Sequence, residues 1–139
     1  PADLFRYNTG VTTFTSVFSQ CPYLYSVPNG LFKYNLLATN FSSVFSRCDS
    51  LTLNRYIFDD TDASGSTRFL NQSVDFTNAF DLNPAFDTYG GGIGTAPQLW
   101  NYDFGTGTPT KTNCFKDRIY AEILSNYADV PSDWGTNTP

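Results

Sequence analysis

The chain has 139 residues, 40% of them hydrophobic, a size that suits one domain with a proper core. With 13 Phe, 9 Tyr and 2 Trp, aromatic rings rather than aliphatic side chains must fill that core. A balance of 13 acidic to 8 basic side chains, net charge −5, argues against a phosphate backbone and so against nucleic acid, and no apolar stretch reaches the roughly 18 to 20 residues a membrane helix needs.

The predicted elements come from an internal repeat. Residues 4–30, LFRYNTGVTTFTSVFSQCPYLYSVPNG, align without a gap on residues 31–57, LFKYNLLATNFSSVFSRCDSLTLNRYI, with 12 identities in 27 positions. Within the first copy, Phe14 and Phe18 lie four apart with Val17 between them, the spacing of one face of a short helical turn. Tyr23-Leu24-Tyr25-Ser26-Val27 alternates like a short strand, and Pro28-Asn29-Gly30 closes it with a turn. A third copy begins at Ile57-Phe58, but its Phe76 and Phe80 come nine residues late, which predicts an insertion looped out over residues 59–68. A fourth, altered copy opens at Leu99-Trp100, places Phe115-Lys116-Asp117-Arg118 where the Phe-Ser-Gln-Cys run stood, and ends on Val130-Pro131, as a capping copy would.

The expected fold is therefore an α/β repeat, a leucine-rich-repeat-like solenoid of about four copies, each a short helical turn plus a short β-strand. The copies span residues 4–30, 31–56, 57–98 with the insertion, and 99–135, in a single domain. Stacking would put Phe14 over Phe41 over Phe76 in one continuous core. The start at Pro1, without an initiator Met, reads as a processed product or a fragment of something longer.

The runs Phe18-Ser19-Gln20-Cys21-Pro22-Tyr23-Leu24 with Val27-Pro28, and Phe45-Ser46-Arg47-Cys48-Asp49-Ser50-Leu51, resemble the BspA-type leucine-rich repeats of bacterial surface proteins. The closing GTAPQLW, NCF and LSNYADVPSDWG stretches are similar to the last repeat of such proteins from Bacteroidetes and their phages. The resemblance covers nearly the whole chain and implies an adhesion or recognition scaffold. Asn54 stands where the Val-Pro turn is expected and the third copy has no Cys, so no ligand position carries over.

Candidate chemistry is sparse. No His is present, which removes His-based triads and most zinc sites, and Glu122 is the only Glu beside 12 scattered Asp, so no enzyme and no cofactor is expected. Cys21 and Cys48 share a repeat position, open either to a disulfide or, the favoured reading, to a ladder of small buried thiols, while Cys114 stands apart. Asp60, Asp62 and Ser64 match the opening of a calcium loop, but Asn71 occupies the twelfth position, so an ordinary polar loop is the better reading. Gly90-Gly91-Gly92-Ile93-Gly94 reads as a flexible connection rather than a phosphate cradle.

On the strand face, Leu24 and Leu51 should point inward, and Tyr23, Tyr25, Ser50 and Thr52 outward as the candidate binding residues. The expected function is a non-enzymatic, extracellular or cell-surface module that binds a protein or glycan. The alternative is a structural or receptor-binding component of a phage virion, docking a neighbouring subunit at its N-terminal end around Leu4-Phe5.

Overall fold

The computed structural model describes residues 1, 3–82, 94–115 and 124–135. The Gly-rich stretch before Gly94, Lys116-Asp117-Arg118 and Glu122 lie outside the described residues.

The copies stack, but not as an α/β solenoid. The described residues contain no α-helix and no strand longer than a single bridge, only three short 3-10 turns at Leu99–Asn101, Tyr127–Asp129 and Ser132–Trp134. This corrects both the helical turn and the strand expected of each copy. The helical turn fails because Ser16 and Ser43 have φ of 57° and 54°, the left-handed region, which breaks a right-handed helix two residues after Phe14 and Phe41. Each Phe instead opens a reverse turn: Val17 N–H donates to Phe14 O, Val44 to Phe41 O and Ala79 to Phe76 O. The strand fails because Leu51 N–H turns back to Cys48 O, leaving Thr52 N–H to Tyr25 O as the bond between those segments.

The amide groups released from helix formation join one coil to the next. Phe14, Ser16, Phe18 and Gln20 donate to Asn40, Ser42, Val44 and Ser46, and Phe41, Ser43, Phe45 and Arg47 donate to Asp75, Thr77, Ala79 and Asp81. Parallel bridges run Thr13 to Asn40 to Asp75 to Thr110, fixing the register at intervals of 27, 35 and 35 residues. This alternation satisfies backbone donors without regular secondary structure.

Rings fill the interior in columns. Phe14, Phe41 and Phe76 stack at 5.8 and 5.9 Å between centroids, and Phe18, Phe45, Phe80 and Phe115 at 5.4, 5.7 and 5.2 Å. A third column stands Phe5 on Phe32 at 5.8 Å and Phe69 on Phe104 at 5.8 Å, with Phe58 between Phe32 and Phe69. Phe69 and Phe104, not Phe58 and Leu99-Trp100, thus continue the stacked pairs in the last two coils. The far end is closed by Trp134, which lies 6.0 Å from Phe76 where Lys111 has replaced a ring.

The insertion is anchored rather than looped out. Arg68 is buried, and its guanidinium donates to Phe58 O at 3.0 Å and Phe32 O at 2.8 Å while lying 5.0 Å from the Phe69 ring centre. Asp59 faces it at 3.5 Å and accepts from the Tyr102 hydroxyl at 3.0 Å and from Ser66 at 3.1 Å. Burial lowers the Arg68 pKa against the opposing pull of Asp59, and burial followed by the Asp59 charge raises that of Tyr102.

Candidate binding surface

Of the four residues expected on the outer face, Tyr23, Tyr25 and Thr52 are exposed, the tyrosines by 65% and 56%. Thr52 N–H to Tyr25 O, at 2.9 Å, sets Tyr25 and Thr52 side by side on consecutive coils. Ser50 does not belong to this face: it is 1% exposed, and its hydroxyl lacks a partner among the described residues. The turn closed by Leu51 N–H on Cys48 O interrupts the two-residue alternation that would have turned Ser50 outward.

The calcium candidates are engaged otherwise. Asp60 accepts from Lys33 Nζ at 2.9 Å, Asp62 pairs with Arg55, and Ser64 is exposed. The hydrogen bond with Lys33 lowers the Asp60 pKa and raises that of Lys33. Among the described residues no group of His, Cys, Asp and Glu is placed to hold a metal. The insertion's carboxylates therefore tie it to the coil beneath.

The thiols of Cys21, Cys48 and Cys114 are free. Cys48 donates to Phe18 O at 2.9 Å, and burial pushes its thiol up to about 12; burial also raises the buried Cys114 thiol. Neither is poised as a thiolate nucleophile. Cys21 is half-buried, with Ser19 O at 3.9 Å.

A polar column along the bridge residues was not among the sequence expectations. Thr13 Oγ1, Asn40 Oδ1 and Asp75 Oδ1 each accept the N–H two residues on, at 3.2, 2.9 and 2.8 Å, which caps the turn that follows. Thr15 also donates to Asn40 Oδ1 at 2.9 Å, so these groups largely satisfy one another. The shared pattern Thr13-x-Thr15, Asn40-x-Ser42 and Asp75-x-Thr77 is what a search of the sequence could have found.

The end at the first coil differs from the capped one. Leu4 and Val17 are 45% and 43% exposed, and Phe5, Phe18 and Cys21 are only half-buried, whereas Val44, Phe45 and Cys48 at the same repeat positions one coil inward are fully buried. No helix among the described residues is long and apolar enough to cross a membrane. No family model, curated protein or solved structure matches this chain.

Proposed function

We propose that the chain is a non-enzymatic recognition or adhesion module, extracellular or at a cell surface, presenting the face of Tyr23, Tyr25 and Thr52 to a protein or glycan. The observation that carries this reading is two tyrosines standing well out of the surface while the backbone beneath is tied to the next coil. A ring held on a fixed rung offers contact area at low entropic cost and a hydroxyl at its tip. The resemblance to BspA-type repeats supports the same role.

The test is binding of the chain and of a Tyr23→Ala, Tyr25→Ala double variant to arrayed bacterial glycans and immobilised surface proteins. We expect a ligand whose affinity falls at least about tenfold in the double variant, the loss of two aromatic anchors. Equal affinity of the two forms would sink this face.

A further inference from the structure

We infer that the corner between the second and third coils binds one internal water, held by Arg68 Nε, Asn35 Oδ1 and Gln72 Oε1. The site lies away from the outer face and does not depend on the function proposed for it.

The site arises where an arginine stands in for an asparagine. In the second coil Asn35 Nδ2 donates to two carbonyls of the first, Phe5 O at 3.1 Å and Asn8 O at 2.9 Å. One coil further on, the equivalent carbonyls are Phe32 O and Asn35 O, and both accept from Arg68 Nη2, at 2.8 and 3.4 Å. The guanidinium thus occupies the place that the next side-chain amide of the column would take. Gln72 follows Phe69 by three residues, as Asn35 follows Phe32, so it holds the asparagine position in the sequence. It is displaced by one residue and donates Nε2 to Leu36 O at 3.2 Å.

That exchange leaves three polar atoms over. Arg68 Nε, Asn35 Oδ1 and Gln72 Oε1 are buried and have no hydrogen-bond partner among the described residues. Asn35 is 0% exposed and the Arg68 side chain 2%. In the planar guanidinium fork Nε–H shares an edge with Nη2, and Nη2 is bonded to the turn from Phe32 to Asn35. The two amide oxygens belong to groups whose nitrogens are bonded on either side of that turn. Equivalent groups on successive coils stand about 4.8 Å apart, beyond a direct bond and within the span of two bonds meeting at one bridging atom.

The chemistry selects the occupant. One donor and two acceptors need a ligand that accepts once and donates twice, which is a water molecule with its usual three bonds. An anion would meet two amide oxygens, and a metal cation would face the Nε–H and the charge of Arg68. Buried polar groups left over by the protein are satisfied by ordered water of this kind. The water then couples the insertion's cation to the asparagine and glutamine of the column.

A crystal structure of the chain tests the site directly, and water-selective NOE spectroscopy of the Arg68 side chain tests it in solution. We expect one oxygen within about 2.7–3.2 Å of all three atoms and a water cross-peak to the Arg68 Nε–H. Gln72→Met keeps the length of the side chain and removes one acceptor. It should shorten the residence time of this water by about fivefold, the net value of one hydrogen bond, read from the dispersion of water 17O relaxation. A direct bond from Arg68 Nε to either amide oxygen, an ion in place of the water, or no cross-peak overturns the inference. An unchanged residence time in Gln72→Met does so as well, because it removes Gln72 from the site.

Discussion

Replacing Arg68 by Ala tests whether the insertion is part of the core. Phe32 O keeps the Asn35 N–H at 2.9 Å after truncation, but Phe58 O loses the donor that holds it at 3.0 Å, at a cost of about 1–3 kcal/mol. Asp59 retains Ser66 and Tyr102 on one oxygen while the other loses its cation, and the contact with the Phe69 ring, 5.0 Å away, is worth about 1 kcal/mol more. Together these give about 3–5 kcal/mol, the usual cost of breaking a buried pair by removing one partner. Urea unfolding followed by tyrosine and tryptophan fluorescence measures it, provided the slope against denaturant is unchanged. A cycle with Asp59→Asn should show coupling of at least about 1 kcal/mol. A loss below about 1 kcal/mol for Arg68→Ala, or additive single effects, would refute the anchoring role.

Phe41 is fully buried between Phe14 and Phe76, so Phe41→Ala should cost about 3–5 kcal/mol, and Phe18→Ala, half-buried at the open end, about half of that; the ordering is read from urea midpoints. The Cys48 thiol is raised from 9.0 to about 12, so the folded chain binds its proton more tightly than the unfolded chain. Stability is then fully present below about pH 9 and falls as pH rises toward about 12. The raised Tyr102 acts in the same direction, and Cys48→Ala should flatten the slope without abolishing it in unfolding curves taken across that window. A Cβ at Gly107 would lie 2.1 Å from Gln72 O, so Gly107→Ala must push neighbouring coils apart, lowering stability by about 1–3 kcal/mol in the same assay.

The register of the first two coils was legible because identical residues recur at 27-residue spacing, which predicts Phe14 facing Phe41 and Phe18 facing Phe45. Local conformation was not. A Phe-x-x-Val-Phe spacing suits a helical turn equally well, and only the left-handed Ser16 and Ser43, residues that carry no glycine to advertise the bend, decide against it. The exposure of Tyr23, Tyr25 and Thr52 followed from alternation, whereas Ser50 failed because a turn intervenes. The third coil was misread because its insertion moves Phe69 37 residues from Phe32, hiding the match, and because a charged Arg68 looks like a loop residue until its carbonyl partners are seen.

Ser16, Ser43 and Asn78 share one repeat position and φ values of 57°, 54° and 53°, each at a cost of about 1–2 kcal/mol for a residue other than glycine. The conformation persists because each of these residues also supplies the N–H that reaches the next coil, at Ser42, Thr77 and Thr112. Strain and inter-coil bonding are therefore one feature, since a residue relaxed into a helix would turn its donor back along its own chain. At the outer face the link is a single one: Thr52 N–H to Tyr25 O joins the backbone under the two residues from one coil to the next. On the reading proposed for this face, binding would forgo much of the cost of ordering a loop.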